Sequence, residues 1–378
     1  MDKINLLVTI TVITMFISLF LALFLVTVKT AHKVSNSLFA FFLVLTAIDI
    51  SINLGDVFEI PLDLRIFISS FVFLQLPAFY LYVLSVCYSD FKLKPKYLIH
   101  SIPFFVVNLV FVPRFYAVNL ASKISFLEKS SSMPEIQFNH ILVHIQIVLY
   151  LIAAFMLLRK AKKIYLENYA GASMESLHWL FQFTLALSIF YFIALIKNIF
   201  KFTVYHNLSE WVKIGLFLFE LIIIFWYLYK ALNNPGLFRS IDSKLQLVER
   251  IISEEKNSDP LAVSEKEYNK DLLKLQQYMI AEKPFLNPSL TIQDIAAAIK
   301  IPVRDLSLLI NHKLDQHFYD FVNSYRIENA MAILKDVTKS KVTVLEILYE
   351  VGFNSKSSFN TAFKKHTGMT PTAYRKSL

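Results

Sequence analysis

Two segments near the C-terminus place basic, amide and hydroxyl side chains on one side of a predicted helix. Groups of these types hydrogen-bond to base edges in the major groove of DNA and contact its phosphates. In the first segment the outward-facing residues are Arg304, Ser307, Leu308 and Asn311. In the second segment they are Lys356, Ser357, Asn360, Thr361, Lys364 and Lys365. Such contacts require helices that are held rigidly in register with the groove.

Each of these segments follows a shorter helix that has its own N-terminal cap. Thr291 with Asp294 matches the capping-box pattern, and so does Thr343 with Glu346. Apolar residues follow each cap at helical spacing, which predicts one buried face. The two caps lie 52 residues apart, so the same plan occurs twice. The sequence therefore predicts two helix-turn-helix modules.

Short breaks separate the helices of each module. Pro302 ends the first helix of the first module, so that the second begins near Val303. Gly352 supplies the turn in the second module, whose second helix starts at Ser355. Residues 318–336, between the modules, are apolar at helical spacing and contain neither Gly nor Pro. We expect one stiff connecting helix there, because two reading helices in one chain must reach major grooves about 34 Å apart.

The connecting helix and the second module contain three extended motifs: Asp320-Phe-Val-Asn-Ser-Tyr-Arg-Ile327, Glu350-Val-Gly-Phe-Asn-Ser-Lys-Ser-Ser-Phe359 and Phe363-Lys-Lys-His-Thr-Gly-Met-Thr-Pro371. Through them, residues 272–378 resemble the AraC/XylS-type transcriptional regulators of bacteria. The resemblance implies sequence-specific binding of double-stranded DNA and activation of transcription, with RNA polymerase as a partner. It assigns base contacts to Arg304, Ser307, Leu308, Lys356, Ser357, Asn360 and Thr361. The family often has arginine where Thr361 stands, which shifts the expected specificity toward Arg304, Lys356 and Asn360.

The preceding part of the chain is strongly apolar. Hydrophobic residues make up 56% of all 378 positions, which is too many for a soluble protein of this length. Seven apolar runs are long enough to cross a hydrocarbon core, at 4–28, 37–54, 66–88, 97–112, 138–158, 178–200 and 211–232. We expect an all-α chain with a seven-helix transmembrane sensor domain over 1–232, a juxtamembrane helix and linker over 233–269, and a cytoplasmic double helix-turn-helix domain over 270–378.

The basic residues of the loops predict the orientation. One side has nine: Lys29, Lys33, Lys92, Lys94, Lys96, Arg159, Lys160, Lys162 and Lys163. The other side has six: Lys3, Arg65, Arg114, Lys123, Lys129 and Lys201. The positive-inside rule then places the N-terminus outside a bacterial cytoplasmic membrane and the C-terminal domain in the cytoplasm.

An apolar stripe at alternating spacings of three and four follows the last span: Phe238, Ile241, Leu245, Val248 and Ile252. This is the pattern of a short coiled coil. The 238–252 helix would either pair two subunits as a homodimer or pack on its own domain. Residues 253–269 are polar and charged, with Pro260 among them, which predicts a flexible linker.

Five ionisable side chains lie within the predicted spans: Asp49, His140, His144, Lys197 and Glu220. Charged groups are costly in lipid, so they usually face a bundle interior or water. One interpretation is a site that senses a small molecule or an envelope signal. The other is structural, with hydrogen-bonded histidines and a buried ion pair of Lys197 with Glu220 or Asp49. His140 and His144 share a helix face, but no cysteine or paired carboxylate accompanies them, so we expect no metal.

Composition argues against several enzyme classes. The six glycines are scattered singly, so the chain has no glycine-rich phosphate loop of a kinase, ATPase or dehydrogenase. The single cysteine, Cys87, rules out an intrachain disulfide and a cysteine-based zinc site. We expect no cofactor and no enzymatic activity. The alternative function is a transporter or channel-like membrane protein with a regulatory C-terminal domain, but neither inverted repeats nor broken Gly/Pro helices are evident.

Overall fold

The computed structural model describes residues 3–28, 33–88, 90–129, 132–170, 174–201, 206–233, 265–339 and 341–378. Helices form most of these residues, and no β-strand occurs among them, which confirms the predicted all-α class. The chain divides into two compact units. The first comprises Met1–Leu158 and His178–Ser240, and the second comprises Arg159–Leu177 and Ile241–Leu378.

Most of the first unit consists of apolar helices. In chain order they are α1 (Lys3–Thr27), α2 (Lys33–Ile50), α3 (Leu62–Ser69), α4 (Val72–Cys87), α5 (Ile102–Phe111), α6 (Leu120–Glu128), α7 (Pro134–Asn168), α8 (Met174–Lys201) and α9 (His206–Asn233). The boundary between the units falls within α7, after Leu158, and within α8, before His178. Both helices therefore belong partly to each unit.

Within the described residues, seven helical stretches have the length and hydropathy to cross a membrane: Asn5–Thr27, Lys33–Leu54, Leu62–Cys87, Pro95–Tyr116, Pro134–Asn168, Leu177–Phe200 and Leu208–Lys230. They coincide with the seven predicted runs. Two details differ from the prediction. The third stretch is broken between Ser69 and Val72, and the fifth continues to Asn168 instead of ending at Leu158. The extra residues include basic side chains, which lower the hydropathy but favour helix formation. A hydropathy pattern therefore underestimates the length of this helix.

Aromatic side chains fill the centre of the first unit. The Phe39 ring stacks on Tyr227 with 4.0 Å between centroids, and it meets the Phe183 ring edge-on at 5.7 Å. All three side chains are less than 3% exposed. Since Phe39 lies on α2, Phe183 on α8 and Tyr227 on α9, this cluster joins three helices of the bundle.

The second unit contains seven further helices with named bounds: α10 (Glu265–Ala281), α11 (Ile292–Ile299), α12 (Val303–Leu308), α13 (Phe318–Lys335), α14 (Val344–Glu350), α15 (Lys356–Thr367) and α16 (Pro371–Lys376). The predicted connecting helix is confirmed as α13. Its first half contributes Phe318 and Val322 to the core around α11 and α12, and its second half contributes Ile327 and Leu334 to the core around α14 and α15. One helix thus supports both modules.

The predicted stripe at 238–252 lies outside the described residues, and so does the predicted linker up to residue 264. The helix α10 begins at Glu265, so the last residues of the predicted linker are helical.

Candidate functional site

The first module begins at a complete capping box, as the sequence predicts. The Thr291 hydroxyl accepts a hydrogen bond from the Asp294 amide, and the Thr291 amide donates to the Asp294 carboxylate at 2.9 Å. Lys300 ends α11 in a left-handed conformation with φ of 55°. Pro302 then precedes α12, which starts at Val303. The local signals of cap and proline therefore set the geometry of this helix-turn-helix.

The predicted reading residues of α12 differ in exposure. Arg304 is exposed and Leu308 is half-buried. Ser307 is only 3% exposed in this structure, whereas the sequence predicts that it lies on the outer side of the helix. Its hydroxyl lies 3.1 Å from the side-chain nitrogen of Asn311, one turn further on, which donates to it.

Asn311 lies just after α12 and its side chain is already engaged. Its oxygen accepts a hydrogen bond from the amide of Phe318 at 2.9 Å, at the start of α13. Its nitrogen also donates to the carbonyl oxygen of Glu167, near the end of α7, at 3.2 Å. The side chain is therefore not directed at solvent as the sequence suggested, because it links three segments of the second unit.

The second module repeats the plan with a second capping box. The Glu346 carboxylate accepts from the Thr343 amide at 2.6 Å, and the Thr343 hydroxyl accepts from the Glu346 amide. The turn after α14 is made by Gly352, which has φ of +90°. The Ser355 hydroxyl caps α15 by accepting from the Ser358 amide. These features confirm the predicted cap, turn and helix start.

The outer side of α15 gathers the predicted residues of the second module. Five of them are exposed: Lys356, Ser357, Thr361, Lys364 and Lys365. Asn360 is half-buried. Asn360, Thr361, Lys364 and Lys365 line one open groove with Thr370. Lys365 is held by an ion pair of 2.7 Å with Asp320, in the first turn of α13.

Sequence reasoning missed the central residue of this unit, Arg326 on α13. Its side chain is 1% exposed and donates hydrogen bonds of 2.7–2.8 Å to the carbonyl oxygens of Phe285, Ala170 and Asn287. Its guanidinium also lies 5.4 Å from the centre of the Phe353 ring. Burial lowers the pKa of Arg326 to about 10, which leaves the group charged at neutral pH. The only sequence signal was its place within the family motif.

A cavity of about 230 Å³ in the first unit brings four of the five predicted ionisable residues together. Asp49, His144, Lys197 and Glu220 line it, whereas His140 does not. One carboxyl oxygen of Glu220 is buried and has no hydrogen-bond partner within the described part of the chain.

Polar and aromatic neighbours complete the lining of this cavity. The Tyr191 hydroxyl donates to Gln75 at 3.2 Å, and the imidazole of His144 lies 3.2 Å from the Asn198 amide nitrogen. Aromatic rings form much of the remaining wall: Phe39, Phe42, Phe183, Phe190, Phe217 and Tyr227. Among the described residues, no group of three His, Cys, Asp or Glu could hold a metal ion.

Comparison with known proteins finds relatives for the C-terminal part of the second unit. Residues 287–377 match a family of helix-turn-helix domains. Over 88 residues the chain is 32% identical to the melibiose operon regulatory protein of Escherichia coli (strain K12), a match covering 23% of this chain and 28% of that protein. Over 87 residues it is 33% identical to the uncharacterized HTH-type transcriptional regulator YdeC of Bacillus subtilis (strain 168), covering 23% and 29%.

A third relative is the uncharacterized transcriptional regulatory protein YesN of the same Bacillus strain, 33% identical over 92 residues, which are 24% of each chain. The chain thus spans less than a third of the length of each of these relatives. No solved structure gives a significant match. The C-terminal part of the chain therefore matches a helix-turn-helix domain, and its similarity to these regulators supports a DNA-binding transcription regulator.

Proposed function

We propose that this protein is a membrane-anchored, one-component transcription regulator that senses an envelope or extracellular signal and binds specific promoter DNA through two helix-turn-helix modules. The observation that supports it best is the outer side of α15. Basic and hydroxyl groups are exposed there beside the half-buried amide of Asn360, on a helix whose opposite side contributes Phe359 and Phe363 to the core. This helix lies within residues 287–377, which match a family of helix-turn-helix domains.

In the second module, we assign base contacts to Lys356, Ser357, Asn360 and Thr361. Lys364 and Lys365 follow on the same helix, and their charges suit phosphate contacts. Lysine donates to guanine edges and asparagine pairs with adenine, so this set has groups for both kinds of base.

In the first module, Arg304 and Leu308 remain accessible enough to enter a groove. Ser307 and Asn311 are assigned to the same reading side, but their present hydrogen bonds must change before they contact DNA. Because α13 contributes to the cores of both modules, it supports the fixed separation that two successive major grooves require. Activation would then proceed through contact with RNA polymerase.

The first unit is proposed to be the membrane anchor, in the bacterial cytoplasmic membrane with the N-terminus outside. Its seven long apolar helices support this, and so do the large apolar side chains on its surface. Phe16, Leu109, Phe192 and Ile222 are each more than 60% exposed. Such a surface is costly in water and favourable in lipid.

The cavity is proposed to be the sensor site. Its aromatic wall suits an apolar ligand body, and the unpartnered oxygen of Glu220 would accept a hydrogen bond from the ligand. A buried acceptor without a partner costs about 1–3 kcal/mol, so a ligand that donates to it gains this energy. We therefore expect a small apolar molecule that carries an amine or hydroxyl donor.

DNA binding is tested with the full-length protein in detergent micelles. A duplex is enriched from a random library, and each of its base pairs is then varied. Replacing Arg304 by alanine should cost about 1–3 kcal/mol at one base pair and little elsewhere. Equal weakening on every sequence would make Arg304 a phosphate contact. Failure of every folded form of the protein, variants included, to enrich a duplex would refute the proposed function.

Sensing is tested with alanine variants of Asp49, His144, Lys197 and Glu220 in a reporter strain, with protein levels checked by blotting. His140→Ala is the matched control, because His140 lies on the same helix as His144 but does not line the cavity. The four variants should change inducible output and the control should not. Unchanged output in all four would refute a sensor site in the cavity.

A separate experiment shows whether the DNA-binding domain acts while attached to the membrane. Chromosomal occupancy is mapped with the intact protein, and a blot tests for a soluble C-terminal fragment.

A further inference from the structure

The residues at and just beyond the end of α7 pack into the first module. The Ala170 amide donates to the carbonyl oxygen of Leu290 at 3.0 Å, and Tyr169 forms an antiparallel bridge with Thr291, the cap of α11. Ala170 is 1% exposed and belongs to the same apolar core as Ile292 and Ile295. The 167–170 segment is therefore built into the module as an extra layer, although it lies more than 100 residues earlier in the chain.

Arg326 fixes this segment in place. The same guanidinium that donates to Ala170 also donates to Phe285 and Asn287, which lie between α10 and α11. A rigid, planar donor that hydrogen-bonds to three carbonyl groups at once holds them in one arrangement. Removing the segment would leave one of these N–H groups without its acceptor. This hydrogen bond therefore favours the attached state in addition to the packing of the segment.

The segment also occupies the reading side of the first module. Asn311, assigned to that side, donates to the carbonyl oxygen of Glu167, whose side chain is 2% exposed. Ser307, on the same side and hydrogen-bonded to Asn311, is nearly inaccessible. Two of the four residues that the first module is assigned for DNA contact are thus unavailable while the segment is in place.

We infer that the 167–170 segment is a built-in inhibitor of the first module, and that its release exposes Ser307 and Asn311 to DNA. This inference rests on the proposed function. It also supplies a route for the signal, because α7 is one continuous helix that carries His144 of the cavity and ends in the inhibitory segment. A ligand that favours one position of α7 shifts the balance between the inhibited and released states.

The inference is tested by locking the segment onto the module. Tyr169→Cys combined with Thr291→Cys places two thiols at an antiparallel bridge, where Cα separations of about 4.5–5.5 Å suit a disulfide. Binding of a duplex enriched by the full-length protein in micelles is measured after oxidation with diamide and again after reduction. The oxidised form should bind at least about tenfold more weakly than the reduced form, a difference of about 1.4 kcal/mol. The two single-cysteine variants should show no such difference, and they control for Cys87, which is 1% exposed.

The opposite change weakens the attachment. Ala170→Pro removes the amide that donates to Leu290, and the residue before it, Tyr169, lies in a bridge, where extended backbone accepts a following proline. This variant should bind the duplex between about twofold and tenfold more tightly, as loss of one hydrogen bond implies. The control is Lys162→Ala, an exposed position on α7.

The outcomes separate the two proposals. If neither wild type nor Ala170→Pro enriches any duplex while both remain folded, the proposed function fails. If both bind DNA, but the disulfide forms fully by mass spectrometry and leaves affinity unchanged, the inhibitory role of the segment is wrong. If Ala170→Pro binds more weakly than wild type, the segment supports DNA binding and the inference is also overturned.

Discussion

The Nη1 atom of Arg326 lies 2.7 Å from the carbonyl oxygen of Ala170, 156 residues earlier in the chain. The arginine is on the helix that connects the two modules, and Ala170 lies two residues after the end of α7, which is one of the candidate membrane spans. Because the guanidinium is buried and charged, each carbonyl oxygen that it reaches also stabilises the charge. The Arg326 side chain therefore links three segments that are distant in the chain: its own helix, the turn that contains Phe285 and Asn287, and the residues after α7.

Replacing Arg326 by alanine should destabilise the second unit strongly. The substitution leaves the buried carbonyl groups of Phe285 and Ala170 without the donor that Arg326 provides, at about 1–3 kcal/mol each. It also removes one of the two donors to the Asn287 carbonyl, which keeps its hydrogen bond from the Leu290 amide. Hydrogen–deuterium exchange of the full-length protein should show faster exchange throughout α11 and α13. Arg375→Ala is the comparison, because Arg375 is half-buried and donates to the carbonyl of Val342. Equal effects of the two substitutions would contradict the central role of Arg326.

Alanine at Gly352 should be far more damaging than alanine at Gly368. Both glycines have positive φ, +90° and +78°, so either substitution places an L-residue in the left-handed region at a cost of roughly 1–2 kcal/mol. At Gly352 an added Cβ would also lie 2.5 Å from the Phe285 carbonyl oxygen, whereas at Gly368 no heavy atom of the described residues lies within 4 Å. Thermal unfolding of the C-terminal unit in the two variants measures the difference. Similar melting temperatures would show that the turn can move away from Phe285.

The sequence predicted the parts of this unit that depend on neighbouring residues. Thr291 and Thr343 cap their helices because the partner carboxylate or amide lies three positions on, which a pattern can reveal. The seven apolar helices were predictable for a similar reason, since length and hydropathy are local properties.

Contacts between distant segments were not predictable in this way. Nothing in the periodicity of α12 shows that Ser307 is buried, because the segment that engages its neighbour Asn311 comes from the end of α7. The end of α7 was itself hidden, since its basic residues stop the apolar run at Leu158 while the helix continues to Asn168. A buried arginine such as Arg326 is also indistinguishable in sequence from a surface one, because its burial depends on carbonyl groups supplied by tertiary structure.

The second module should lose stability in acid. Hydrogen bonds from the Thr343 amide and hydroxyl lower the pKa of Glu346, and those from the Thr338 hydroxyl and amide lower the pKa of Asp336. A carboxyl group whose pKa is lower in the folded state stabilises the fold at pH values above its unfolded-state pKa, which is 4.5 for Glu346 and 3.8 for Asp336. This contribution disappears as the pH falls through the pKa of the folded state.

When unfolding is followed from pH 7 down to about pH 3, the stability of the segment around α14 should therefore fall below about pH 4.5. Glu346→Gln keeps a hydrogen-bond acceptor for the Thr343 amide but does not titrate. Its stability should be lower at neutral pH and should change less in acid. If the stability of Glu346→Gln depended on pH as steeply as that of the wild type, other carboxyl groups would be the cause of the acid sensitivity.

Asp320→Asn should strengthen DNA binding. The Asp320 carboxylate now pairs with Lys365 at 2.7 Å, and Lys365 lines the groove beside α15 that we assign to DNA. Neutralising Asp320 removes a negative charge near the phosphates and leaves Lys365 available to them. Each additional phosphate contact steepens the dependence of log K on log salt by about 0.9.

The measurement is affinity of the full-length protein for its enriched duplex between roughly 50 and 200 mM salt, the range in which phosphate contacts are most evident. Lys365→Gln should weaken binding and reduce the slope. In the Lys365→Gln background, Asp320→Asn should strengthen binding less than it does in the wild type, because part of its effect acts through Lys365, and such non-additivity identifies the coupled pair. Asp320 also lies in the first turn of α13, where an acidic side chain favours the helix, so a modest loss of stability accompanies the gain in affinity. If Asp320→Asn weakens binding at every salt concentration, the ion pair positions Lys365 for DNA instead of competing with it.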